Sequence, residues 1–121
     1  MGKYVIKEAK NGPMFNLKAG NGEIIATSEV YSSKSACRKG IESVMKNAPV
    51  AKVEDQSEKD YQTLANPKFE IYKDKKGEFR FRLTALNGKT IAVSEGYSDK
   101  KSCQHGIESV RKNALSKTVE E

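Results

Sequence analysis

Apolar and polar residues alternate with a period of two in the first part of each half of the chain, then recur with a period near 3.6. "YVIKEA" puts Tyr4 and Ile6 on one face, and "FEIYKD" does the same with Phe69 and Ile71. "FRFRLTA" is the clearest strand: Phe79, Phe81, Leu83 and Ala85 point one way, Arg80, Arg82 and Thr84 the other. "EIIATS" and "KTIAVS" supply a third strand in each half. Asn11-Gly12 and Lys76-Gly77 read as tight turns. Asn21-Gly22 and Asn87-Gly88 read as type I′ hairpins, whose central residues both need positive φ. Three antiparallel strands per half follow.

A helix comes next in each half. Ser33 or Ser32, and Asp99 or Ser98, are placed to accept hydrogen bonds from the first free helix amides. Ala36, Cys37, Gly40, Ile41, Val44 and Ala48 fall on one helical face, and Ser102, Cys103, Gly106, Ile107, Val110 and Ala114 repeat it. Glu42–Lys46 and Glu108–Lys112 have the spacing of favourable i,i+4 pairs. Asn47 and Asn113 suit a left-handed cap at the helix end, and Pro49 stops the first helix. "VAKVED" and "SKTVEE" read as short fourth strands.

The two halves are copies of each other. A shift of 66 positions lays Asn21–Ala48 on Asn87–Ala114 with 18 of 28 residues identical. Residues 1–55 form the first repeat, the polar stretch 56–68 a linker, and 69–121 the second repeat. The expected architecture is α+β, two tandem β(3)-α-β units, with antiparallel sheets each packed by one helix. A unit of about 60 residues buries only roughly 60% of its unfolded surface, and only 36% of this chain is hydrophobic. One merged globular unit is therefore expected rather than two separate domains.

Charge narrows the function classes. Lys and Arg outnumber Asp and Glu by 22 to 16, an excess too mild for a dedicated nucleic-acid binder. Two cysteines, each within helical spacing, do not make a secreted disulfide scaffold. No apolar stretch approaches a membrane span or a signal sequence, and Ile6 stands where a myristoylation signal needs Ser or Thr. A cytoplasmic protein with no membrane attachment is expected.

Catalytic chemistry finds no footing. The single histidine, His105, is two residues from Cys103, and on a helix such side chains diverge by about 200°. Cys37 and Cys103 read as buried, inert thiols, and one His with two distant Cys is no zinc set. No P-loop, GxSxG or HExxH occurs. No catalytic, metal-ligating or cofactor-binding residue is assigned, and no cofactor is expected.

Two candidate surfaces remain. The first is a polar strand-to-helix junction that recurs: Ser28, Glu29 and Tyr31 in one copy, Ser94, Glu95 and Tyr97 in the other. Such residues commonly satisfy turn and helix-start backbone groups, and they can also line a pocket. The second is the basic hairpin of the second copy, with Lys73, Lys75, Lys76, Arg80, Arg82 and Lys89 against Asp74 and Glu78. Two arginines on one strand face suit phosphate. The first copy reads "PMFNLKA" where the second reads "EFRFRLTA", with Met14 and Asn16 in place of the two arginines, so that role is asymmetric. Glycine at 40 and 106 costs each helix roughly 0.5–1 kcal/mol, which points to a close approach there.

"FRFRLTALNGKTIAVSEGYSDKKSC", "NGEIIATSEVYSSKSAC" and the paired "GIESV" words resemble the YegP-like family, small bacterial proteins carrying a domain of unknown function singly or in tandem. The resemblance covers all but the linker. It implies paired β(3)-α-β units about a pseudo-twofold axis with exchanged C-terminal strands, hence a monomer that is an internal pseudo-dimer. It implies no reaction, cofactor or substrate. The expected role is a non-enzymatic interaction module for a protein or small ligand. The alternative is weak nucleic-acid or polyanion binding through the basic hairpin.

Overall fold

The computed structural model describes residues 2–121. Strands β1 (Lys3–Ala9), β2 (Gly12–Lys18) and β3 (Ile24–Thr27) form an antiparallel meander, followed by helix α1 (Lys34–Asn47) and strand β4 (Lys52–Asp55). The second copy repeats this as β5 (Lys68–Lys73), β6 (Phe79–Thr84), β7 (Thr90–Val93), α2 (Lys100–Asn113) and β8 (Val119–Glu120). The two meanders do not form separate sheets. They join edge to edge where Thr27 pairs with Val93, giving one eight-stranded sheet in the order β4-β5-β6-β7-β3-β2-β1-β8.

The last strand of each repeat leaves its own meander. β4 lies parallel to β5, and β8 lies parallel to β1, so each repeat ends against the first strand of the other. A parallel partner requires a crossover, and the helix supplies it. Each helix packs over the central strand of its own meander and over the third strand of the other: α1 on β2 and β7, α2 on β6 and β3. The core is thereby shared across the seam.

Strand alternation directs Tyr4, Ile6, Phe15 and Leu17, with Phe69, Ile71, Phe81 and Leu83, toward the helices, where all are buried. Tyr4 meets Phe15 edge-on at 5.8 Å, and Phe69 meets Phe81 edge-on at 5.9 Å. A bulge in each third strand adds a buried residue. Leu83 pairs with Ala92 and Thr84 with Thr90, which leaves Ile91 as the extra residue; Ile25 holds the same place opposite Leu17 and Lys18.

The opposite face of the sheet carries no helix. One row crosses all eight strands there: Glu120, Val5, Asn16, Thr27, Val93, Arg82, Glu70, Glu54. The copies agree on the helix side and diverge on this one. Val5 corresponds to Glu70, Asn16 to Arg82, and Thr27 to Val93.

Several local expectations are corrected. The Asn-Gly hairpins are not type I′. In the Asn21-Gly22 and Asn87-Gly88 turns only the glycine has positive φ (+87° each), and its N–H donates to Ala19 O or Ala85 O three residues back. These are type I turns closed by a glycine bulge, which suits a strand twist with one residue fewer in the left-handed region. The first turn lies at Lys10-Asn11, with Ala9 paired to Gly12. Ser33 and Asp99 are the N-caps.

Asn47 and Asn113 are not left-handed caps: both lie within the helices, and no described residue other than glycine has a positive φ. Their amides instead donate back to Ser43 O and Ser109 O at 2.8 Å. Asn113 Oδ1 also accepts the Gly2 N–H at 2.7 Å, tying the first residues to the far end of the chain. Glu108 pairs with Arg111 at 2.6 Å rather than with Lys112, and Glu42–Lys46 forms no ion pair.

Residues 56–67 are anchored rather than loose. Glu54 Oε1 accepts from Leu64 N at 2.7 Å and from Lys68 Nζ at 2.8 Å, and Gln56 Nε2 donates to its other oxygen at 2.6 Å. Lys68, placed in the linker by sequence, is the first residue of β5.

Candidate functional site: two grooves across the repeat seam

The recurring junction is built the same way twice. Ser28 Oγ accepts the Phe15 N–H at 2.8 Å and donates to Glu29 O at 2.7 Å. Ser94 does likewise with Phe81 N at 2.9 Å and Glu95 O at 2.8 Å. Both serines are buried and spent on backbone, where strand pairing gives out at the seam. Tyr31 and Tyr97 then turn their rings inward and stack on Phe15 and Phe81 at 6.3 and 6.4 Å.

Those tyrosines explain the helix glycines. A β-carbon on Gly40 would lie 2.6 Å from Tyr31 Cζ and closer still to its hydroxyl; one on Gly106 would lie 2.6 Å from the Tyr97 hydroxyl. The close approach inferred from sequence is therefore an aromatic side chain from the repeat's own junction. Burial, then the charge of Glu29 and the Cys37 thiol, pushes the Tyr31 hydroxyl up to about 12. The Tyr97 hydroxyl is raised by burial first, then by Glu95, Cys103 and Glu23. Glu29 and Glu95 are exposed.

The polar side of each helix faces a hairpin of the other repeat. Along α1, Lys39, Glu42, Ser43, Lys46 and Asn47 face Ala85, Leu86 and Asn87 across an open groove of about 420 Å³. A second hollow of about 430 Å³ shares Lys39, Ser43, Ala85 and Asn87 and extends the groove past Glu29, Tyr31, Gly40, Lys89 and Ile91. Along α2 the matching groove, about 470 Å³, runs between His105, Glu108, Ser109, Lys112 and Asn113 and the tip Ala19–Asn21. Sequence reading missed Lys39, Ser43, Lys46, Leu86 and Asn87 as a group. The opposed residues lie some forty positions apart in different repeats, and only the crossed helix packing brings them together.

The basic hairpin is less available than its composition implies. Arg80 Nε donates to Asp74 Oδ2 at 2.8 Å and Nη1 to Ser94 O at 3.2 Å. Arg82 pairs with Glu70 and lies over the Tyr72 ring, 4.4 Å from its centroid. The Asp74 carboxyl is held below its ordinary value, chiefly by the Arg80 guanidinium. Lys73 rests over Phe79 at 5.1 Å, Lys75 and Lys76 project from the turn, and Lys89 belongs to the α1 groove instead.

Cys37 and Cys103 are fully buried, and burial raises both thiols, Cys103 to about 11. His105 is exposed, on the groove side of α2. Among the described residues no group of three or more His, Cys, Asp or Glu gathers to hold a metal ion. No described helix is long and apolar enough to cross a membrane.

Comparison with known proteins places the chain. The family model described as a domain of unknown function, DUF1508, matches twice, over residues 9–55 and 74–121. The UPF0339 protein YegP of Yersinia pestis is 43% identical over 122 residues, covering 100% of this chain and 96% of that protein. The UPF0339 protein plu2779 of Photorhabdus laumondii is 39% identical over 98% of this chain and 92% of its own length. The solution structure of the UPF0339 protein SO3888 from Shewanella oneidensis superposes with a TM-score of 0.80 at 33% identity, over 98% of this chain and 89% of that one. That of yegP from E. coli gives 0.78 at 38% identity, over 98% and 90%. With both repeats matched and the whole length shared, this chain belongs to the DUF1508 family, alongside the bacterial UPF0339 proteins.

Proposed function

We propose that the protein is a non-enzymatic binding module whose recognition surface is the groove between α1 and the β6–β7 hairpin. The supporting observation is that this groove is assembled from both repeats, with Tyr31 and Lys39 from one and Leu86 and Lys89 from the other. Leu86 is 69% exposed at its lip, an apolar side chain held in water where the equivalent position of the first copy is Gly20. Burial raises the Cys37 and Cys103 thiols, which disfavours the thiolate that a nucleophile requires.

Amide shift mapping of the intact ¹⁵N-labelled chain against a fractionated small-molecule extract tests this. Perturbations confined to residues 36–47 and 85–91 are expected. Perturbations centred on the helix-free sheet face, or none from any fraction, sink the reading.

Weak polyanion binding through the second hairpin is the lesser reading. It is favoured by Lys75 and Lys76, which are exposed and make no ion pair among the described residues. Phosphate binding weakens steeply with salt. Oligonucleotide anisotropy that is flat at low salt removes it.

A further inference from the structure

The two grooves share one geometry and differ in charge. The α1 groove carries Lys39, Lys46 and Lys89 with Glu29 and Glu42. At the matching positions around the α2 groove stand His105, Lys112, Glu95 and Glu108 of the second copy and Glu23 of the first copy's hairpin. Two replacements, Lys39 against His105 and Lys89 against Glu23, make the first groove basic and the second acidic. None of the three lysines has a carboxylate partner among the described residues, while Lys3, Lys34, Lys68 and Lys100 each do.

Lys39 and Lys46 stand seven residues apart on α1, two turns and about 10 Å along the axis on the same stripe. Ser43 lies between them, and Asn87 and Lys89 face them from the hairpin. Ala85, Leu86 and Ile91 supply an apolar wall. A groove of this size, with an apolar wall and a few convergent polar groups, has the make-up of a small-ligand site.

We propose that the α1 groove binds a small organic anion, carrying phosphate or carboxylate groups that Lys39, Lys46 and Lys89 receive, and that the α2 groove does not. This rests on the reading of the α1 groove as the recognition surface. The ligand spans from the α1 stripe to the hairpin, with its anionic groups on the lysines and Ser43 and its body against Leu86 and Ile91. Phosphate and carboxylate are distinguished by experiment: both are held by ammonium groups, and the two differ in charge and reach.

The test is amide shift titration of the intact protein with pyrophosphate in one arm and citrate in the other. Saturable shifts at residues 36–47 and 85–91, absent at 19–23 and 104–113, are expected, and the tighter arm names the acid group. Lys39→His with Lys89→Glu, which copies the second groove into the first, should weaken binding at least tenfold with the rest of the spectrum unchanged. His105→Lys with Glu23→Lys should create a second site at residues 19–23 and 104–113.

Equal shifts at both grooves of the unaltered protein, or shifts scattered over surface lysines, overturn the proposal. So does silence toward both anions. If extract fractions still perturb the α1 groove in that case, the anion assignment alone fails. If they do not, the groove reading fails with it. Saturation only by an acidic peptide, with neither small anion bound, likewise overturns the small-ligand assignment.

Discussion

The ring of Tyr31 lies flat on Phe15 and ends against the backbone of Gly40, so that any β-carbon at position 40 would occupy the space of the tyrosine Cζ and hydroxyl. The second repeat makes the same contact with Tyr97 and Gly106. Two phrases that recur separately in the sequence, the SE-x-YS junction and the helix glycine, are thus halves of one packing device.

Gly40→Ala should destabilise the protein despite alanine's higher helix propensity. Propensity offers about 1 kcal/mol. Overpacking a rigid, stacked ring costs roughly 1–3 kcal/mol. The penalty should be smaller at Gly106, where the tyrosine stands farther off, with Cζ at 3.0 Å against 2.6 Å. In a Tyr31→Ser background Gly40→Ala should become neutral or stabilising. Urea denaturation of the four variants gives the cycle, and purely additive effects would contradict the contact.

Acid should weaken the β4–β5 edge. Burial alone would raise the Glu54 carboxyl, but hydrogen bonds from Gln56, Lys68 and the Leu64 N–H outweigh it and hold the group below its ordinary value. Asp55 is lowered by its bonds with Ser57 and Lys100 against the same opposing burial. A depressed folded-state pKa means the stabilisation is complete above the unfolded carboxylate range near 4 and is lost as pH falls through the lower folded value.

Lys68 is shifted the other way, raised chiefly by its hydrogen bond to Glu54. Its contribution is therefore full at neutral pH and declines only as pH climbs past the ordinary lysine value. Glu54→Gln leaves Lys68 buried with only the more distant Glu70 carboxylate, 3.4 Å away, and should cost roughly 1–3 kcal/mol. Glu120→Gln breaks the pseudo-equivalent Lys3 pair, which is 38% and 52% exposed, and should cost under about 1 kcal/mol. Thermal melts between pH 2 and 8 check the order of the two variants and the loss of the difference at low pH.

The two repeats are proposed to fold as one cooperative unit. Residues 1–56 alone would leave β1 without β8, β4 without β5, and α1 without the strand it covers in the other repeat. Such a fragment should unfold or dimerise by exchanging β4 between copies. Sedimentation decides, and a folded monomeric half refutes the idea.

The basic hairpin shows where composition misleads. Arg80 and Arg82 alternate outward as the strand pattern says, and nothing in that pattern reveals that Asp74 and Glu70 meet them. Asp74 comes from the turn and Glu70 from the neighbouring strand, so the neutralisation depends on register. Asn47 and Asn113 misled in the opposite way. Their propensity for a left-handed cap is real, but a serine four residues earlier and, for Asn113, the Gly2 amide offered better hydrogen bonds inside the helix geometry.

What the sequence determined alone depends on near neighbours: strand alternation, the approximate places of the turns, the helix faces and N-caps, and the duplication itself. The eightfold strand order, the seam at Thr27 and Val93 and the pairing of each helix with the other repeat's hairpin belong to the tertiary structure. The helices pack across the seam, α1 on β7 and α2 on β3, and that crossing fixes which residues of one repeat face which of the other. The α1 groove exists only by that crossing. Its lysines were visible in the sequence as scattered surface charge, and the fold alone gathered them against Leu86 and Asn87.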